Sequence, residues 1–325
     1  MAPSFSGSRL RDIELNRILV IRGGAIGDFI LTLPALRALR EAYPRAHLEI
    51  LGYKHIVALT ENRGYAQAVR SIEYGPLSSF FARSSELPSD LANYFASFDL
   101  IVSYLYDPDR IFETNLRRCG VEDVVLGPGT LGNSEHAAIQ LARPLAELGI
   151  EVHDFAAKIF LSPQDRQLAT EFLHDCARPI VALHPGSGSE KKNWRLENWV
   201  QLGDALLEAD SFRGSLLVVS GESDEPAVAE LEAIWKNAAR VRFAKNLPLP
   251  HLAALLEQTI FIGHDSGVSH LAAAAGANCI LLFGPTDPEI WAPRSENVKI
   301  IRSSSGRVED VDVTEVQREL ASLLK

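Results

Sequence analysis

An alternation of short β-branched apolar runs with longer helical patterns, played out twice along the chain, restricts the fold more than any other feature of the sequence. In the first series, apolar runs at residues 17–21, 47–52, 69–74, 99–105 and 121–126 are separated by helical patterns. These patterns pass through Leu36, Leu39 and Tyr43, then span 55–62, an irregular stretch at 78–98, and 109–118; a last one at 134–148 ends at Gly149. Pro34 lies inside the first of them, so that helix is expected either to kink there or to begin near it. After Gly149 the pattern resets through a connector and a helix reaching about Cys176. Runs at 179–183, 215–220, 241–244, 259–262, 279–283 and 298–301 then alternate with helices near 196–209, 225–239, 249–257 and 267–275. A short apolar run bounded by turn signals is a strand buried on both faces, and strands joined through helices form a right-handed, doubly wound parallel sheet. Two Rossmann-like domains are expected, 1–160 and 161–325, facing across a cleft with ligands beyond the carboxyl ends of their strands. The tail at 314–324 reads as an amphipathic helix capped by Thr314, available to pack back on the first domain.

Composition narrows the class. A chain of 325 residues with 46% hydrophobic content is long enough for two cores. No apolar run reaches the roughly 18 residues of a membrane span, and the start, with Arg9, Arg11, Asp12 and Glu14, lacks a secretory apolar core. Cys119, Cys176 and Cys279 are far apart and make neither a CxxC nor a zinc spacing, which points to the cytoplasm. A net charge of -10 argues against a nucleic-acid binder, while leaving room for a local basic patch that meets an anionic substrate.

Four turns can carry chemistry. The first, Gly23-Gly24-Ala25-Ile26-Gly27-Asp28, leaves the first strand. It fails the dinucleotide fingerprint, because Arg22 stands where the first glycine belongs and Gly52-Tyr53 replaces the acidic residue after the second strand. Asp28 at a helix start is either a first-turn charge worth about 0.5–2 kcal/mol or a general base for an acceptor hydroxyl. The second, His184-Pro185-Gly186-Ser187-Gly188-Ser189-Glu190-Lys191-Lys192-Asn193-Trp194, offers N–H, hydroxyl and ammonium donors to a phosphate; equally, its lysines are solvated and His184 is a core histidine. In the third, Ser220-Gly221-Glu222-Ser223-Asp224, Glu222 can meet ribose hydroxyls, or the acids cap the next helix. The fourth, 263–270, joins an apolar strand to an alanine-rich helix stopped by Gly276. Its free N–H groups and positive dipole end suit an anion, while Asp265 or Ser266 suits an N-cap. Asp107-Pro108-Asp109 looks like a metal-binding D-x-D but reads better as a cap. No cluster has metal-ligand spacing, and no G-x-S-x-G elbow occurs.

Three stretches together resemble glycosyltransferase family 9, the ADP-heptose lipopolysaccharide heptosyltransferases. They are ILVIRGGAIGDFILTLPALRAL at 18–39, HPGSGSEKKNWRLENW at 184–199 and GHDSGVSHLAAAAGANCILLFGPTDPEIWAP at 263–293. The resemblance implies a GT-B fold and an inverting transfer that needs no metal and no cofactor, the nucleotide sugar, ADP-heptose, being a substrate. It implies that Asp28 is the catalytic base, with Gly24 and Gly27 keeping its loop open. On the donor side it implies Lys192, with the Ser187 loop, at the phosphates and Glu222 at the ribose. Leu247 would lie under the adenine, and Asp265, Ser266 and Gly267 at the diphosphate and sugar with His270 behind them. A lipopolysaccharide inner-core acceptor carries anionic groups, for which Arg22, Lys54, Arg63, Arg70 and Arg83 are candidates. The expected setting is a monomer in the cytoplasm or peripheral on the cytoplasmic face of the inner membrane, with no nucleic-acid partner. Two other readings stand beside this one. Another GT-B-type nucleotide-sugar enzyme, such as an epimerase or hydrolase, would convert a donor with no acceptor present. A non-catalytic nucleotide-sugar binder would tolerate the loss of Asp28.

Overall fold

The computed structural model describes residues 15–221 and 225–324. The chain forms two compact units, Met1–Phe155 and Ala156–Lys325. The boundary falls five residues before the one expected at 160, because the connector is already tied to the second unit: the Ile159 N–H donates to the Ala274 carbonyl at 2.9 Å.

In the first unit the elements run β1 (Arg17–Arg22), α1 (Ile26–Ala42), β2 (His47–Gly52), α2 (Lys54–Val57), β3 (Ala68–Ser71), α3 (Ser89–Ala96), β4 (Leu100–Ser103), α4 (Ile111–Arg118), β5 (Val124–Leu126) and α5 (Ala137–Ala142). All strand pairs are parallel, in the order β3-β2-β1-β4-β5. The central strand β1 is apolar between its terminal arginines, and Ile18–Ile21 are all fully buried, so both faces of the sheet are covered there. Leu19 and Ile21 enter a cluster with Phe80, Phe95 and Phe112. Helix α1 begins at Ile26, eight residues ahead of Pro34, and runs through it. Burial of the whole stretch Phe29–Leu36 offsets the roughly 3 kcal/mol that an interior proline costs.

Several helices are shorter than their patterns suggested, each for a local reason. Residues 78–98 split into a 3-10 turn, Gly75–Phe81, and α3, which Pro88 precedes as N-cap. The pattern at 134–148 changes to a 3-10 turn at Arg143–Leu148, where Pro144 has no N–H to continue the helix. Helix α2 stops at Val57, and the chain then turns through Asn62 at φ 54°.

The second unit runs α6 (Pro163–Phe172), β6 (Ile180–Leu183), α7 (Leu196–Glu208), β7 (Ser215–Ser220), α8 (Glu225–Trp235), β8 (Val241–Lys245), α9 (Leu249–Leu256), β9 (Ile260–His264), α10 (Gly267–Ala275), β10 (Asn278–Phe283), α11 (Pro288–Trp291), β11 (Val298–Arg302) and α12 (Val313–Leu323). Its six parallel strands order as β11-β10-β9-β6-β7-β8. Helix α10 is stopped by Gly276 at φ 98°. Helix α12 is capped by Asp312, whose Oδ1 accepts from the Thr314 N–H at 2.8 Å, and not by Thr314 as the sequence suggested. Its apolar face, Val313, Val316 and Leu320, enters the core of the second unit with Trp199 and Leu202. No helix among the described residues is long and apolar enough to cross a membrane.

Candidate functional site

In a doubly wound sheet the chain leaves neighbouring strands in opposite directions at one place, and the crevice beyond that switch point is where ligands bind. Here the switch points lie between β1 and β4 in the first unit and between β6 and β9 in the second. The turn carrying Asp28 follows β1; the loop carrying Lys192 follows β6, and the turn carrying Asp265 follows β9.

At the first switch point Gly24 takes φ 98°, and Asp28 is the third residue of α1. The Ala25 N–H donates to Asp28 Oδ2 at 3.3 Å, so the carboxylate leans back over the helix start while staying half-exposed. A Cβ on Gly24 would lie 3.1 Å from that same Oδ2. Gly27 occupies the second helical position between them. Arg22, expected at the acceptor, is buried: its Nη2 donates to the Asp28 carbonyl at 3.2 Å, its guanidinium lies 5.9 Å from the Tyr104 ring, and its Nε has no hydrogen-bond partner. Burial lowers the Arg22 pKa, against the opposing pull of Asp28 and Tyr104. The other basic candidates do not gather with it. Arg63 donates to the Ala58 and Glu61 carbonyls, Arg70 pairs with Glu49 at 3.4 Å, Arg83 pairs with Asp109 at 3.2 Å, and Lys54 is exposed on α2. Asp107 is a cap: its Oδ1 and Oδ2 accept from the Ile111 and Glu113 N–H groups at 2.8 and 3.0 Å.

The second switch point is more tightly built. Lys192, in a 3-10 turn over Glu190–Lys192, places its Nζ 2.7 Å from Asp265 Oδ2, joining two loops 73 residues apart. Its neighbour Lys191 lies exposed. Ser187 braces the loop, its Oγ lying 2.9 Å from the Ser189 carbonyl and 2.6 Å from Asn193 Oδ1. Ser266 is the N-cap of α10, its Oγ accepting from the Ser269 N–H at 3.2 Å, and the same Oγ lies 3.5 Å from Nδ1 of the buried His184. Cap and anion site are therefore compatible here: the hydroxyl serves Ser269, while Gly267 and Val268 hold the first two helical positions, whose N–H groups have no intrahelical acceptor. His270 is buried on the first turn of α10.

Farther along the same edge, the Asn246 N–H donates to the Ser220 carbonyl at 3.0 Å, which sets half-buried Leu247 near the carboxyl end of β7. Glu222 lies outside the described residues. Two residues of these turns to which no role was assigned from the sequence also belong to this edge. Ser220 ends β7 with a buried hydroxyl that has no hydrogen-bond partner. His264, fully buried at the end of β9, accepts from the Trp194 N–H at 2.8 Å. A polar residue closing an apolar strand is the only local signal either one gives. Among the described residues no group of three or more His, Cys, Asp or Glu side chains could hold a metal ion.

Residues 136–320, more than half of the chain, match the family model described as glycosyltransferase family 9 (heptosyltransferase). The chain is similar to lipopolysaccharide heptosyltransferase 3 of Escherichia coli K12, at 23% identity over 84% of this chain and 83% of the relative. Two solved structures share its fold. The E. coli ADP-heptose lipopolysaccharide heptosyltransferase II superposes with a TM-score of 0.76 at 17% identity, over 95% of this chain and 98% of the other. The E. coli heptosyltransferase WaaC with ADP gives 0.71 at 17% identity, over 94% and 99%.

Proposed function

From the premise that this chain belongs to glycosyltransferase family 9, and so is a glycosyltransferase of the heptosyltransferase kind with two Rossmann-like units of GT-B type, we propose that it moves a heptose from ADP-heptose to a lipopolysaccharide inner-core acceptor, with inversion and without a metal. The observation that carries this reading is the Lys192–Asp265 contact beside the start of α10. A cation and unpaired helix N–H groups sit together at a switch point, the chemistry a departing diphosphate needs. In this reading Lys192 and the N–H groups of Gly267 and Val268 stabilise the charge that grows as the bond between the anomeric carbon and the diphosphate oxygen breaks. Ser187 shapes the loop, Ser266 and His270 hold the helix start, and Leu247, Ser220 and Glu222 take the adenine and ribose.

Asp28 is the base in this proposal. It removes the proton of the acceptor hydroxyl as that oxygen bonds to the anomeric carbon, and ADP leaves from the opposite face. Gly24 and Gly27 leave the carboxylate room to turn from Ala25 toward the hydroxyl. A lipopolysaccharide acceptor is bound to a membrane, so the chain would dock there peripherally. The test is ADP release from ADP-heptose with and without inner-core lipopolysaccharide. The proposal expects release that depends on the acceptor. Conversion of the donor at the same rate without acceptor would instead identify a hydrolase or epimerase, and no conversion at all would leave a binding protein.

A further inference from the structure

The loop of residues 184–194 carries Lys192 on a single 3-10 turn, which cannot hold a lysine in place by itself. Both ends of the segment around Lys192 meet one buried side chain. The Trp194 N–H donates to His264 Nε2 at 2.8 Å, and His264 Nδ1 lies 3.4 Å from the Gly186 carbonyl. A main-chain N–H can only donate and a carbonyl can only accept, so the partners themselves fix the tautomer: Nε2 bears the lone pair and Nδ1 the proton. The ring cannot easily turn away, since Trp199 meets it edge to face at 5.3 Å and it is fully buried. Its own main chain extends the connection, because the Ser269 hydroxyl of α10 donates to the His264 carbonyl. The next residue is Asp265, the partner of Lys192.

We propose that His264 is the positioning residue of the donor half-site: one imidazole staples residues 186 and 194 of the lysine loop to the strand end that carries Asp265 and α10, and thereby sets Lys192 against the helix start. This rests on the reading that Lys192 binds the donor diphosphate. Without the imidazole, the Trp194 N–H loses its acceptor in a dry setting and the loop relaxes to satisfy it.

The test is calorimetric titration of ADP into the wild-type chain, His264→Leu, His264→Gln, Lys192→Ala and the double variant His264→Leu/Lys192→Ala. His264→Leu is expected to weaken ADP binding about tenfold, the scale of one lost hydrogen bond to an ordered group. His264→Gln should recover most of that, since its carbonyl oxygen can accept from Trp194. Lys192→Ala should cost less affinity in the His264→Leu background than in the wild type, because a lysine already misplaced has less to lose. A residue serving stability alone would give costs that simply multiply, and that result, or wild-type affinity in His264→Leu, overturns the proposal. Should His264→Leu fail to fold, the ¹⁵N spectrum of the histidine-labelled wild-type chain decides: an unprotonated Nε2 supports the staple and a protonated one overturns it. A wild-type chain that binds no ADP at all would overturn the nucleotide reading first, and this inference with it.

Discussion

The two switch points are built alike and finished differently. Each places an aspartate beside a helix start, yet Asp265 is 2.7 Å from a lysine on a braced loop with its side chain 10% exposed, whereas Asp28 is half-exposed beside two glycines and accepts one backbone N–H at 3.3 Å. Each turn is suited to a different task. A carboxylate paired with an ammonium is an anchor, and the donors around it suit a leaving anion. A half-exposed carboxylate on the first turn of a helix, next to a glycine-rich loop, has room to approach a hydroxyl and take its proton.

The largest effect that would sharpen this contrast is expected from Asp28→Ala. The rate of heptose transfer should fall about a thousandfold, the scale of a general base, and retained turnover would remove the base from that turn. Next in size is Lys192→Ala, for which kcat/KM should fall about a hundredfold as stabilisation of the leaving diphosphate is lost; steady-state kinetics with ADP-heptose measures it. Gly24→Ala strikes at the freedom of the first turn. It adds a side chain at φ 98° and 3.1 Å from Asp28 Oδ2, so kcat should fall about tenfold through strain of roughly 1–2 kcal/mol. A Gly24→Ala enzyme with full kcat would break the distinction between a braced and an open turn. The smallest effect belongs to Asp107→Ala, which loses a cap to Ile111 and Glu113. Chemical denaturation should show a loss of about 1 kcal/mol, and transfer should be unchanged.

The strand pattern was most readable in the inner strands, whose short apolar runs are buried on both faces of a parallel sheet, as β1 and β6 are, while edge strands such as β3 and β8 are only partly buried. Helix limits were less so, since Pro88 and Pro144 act through single missing N–H groups that apolar spacing does not register. Asp28 stood out by its place at a strand exit. The choice between Lys191 and Lys192 did not follow from residue type: adjacent lysines are equivalent until a 3-10 turn points one at Asp265 and leaves the other in solvent. His264 escaped for a related reason. Its partners lie 70 and 78 residues away in the chain, and nothing near it in the sequence announces them. Charge alone did not rank the basic candidates: Arg63, Arg70 and Arg83 each have a carbonyl or carboxylate partner that lies apart from them in the sequence pattern.

The division of labour between the two aspartate turns is decided by titrating ADP into the wild-type, Asp28→Asn and Lys192→Ala proteins. An unchanged Kd is expected in Asp28→Asn and a Kd weakened about tenfold or more in Lys192→Ala. The reverse pattern, with ADP affinity lost in Asp28→Asn and kept in Lys192→Ala, would contradict it.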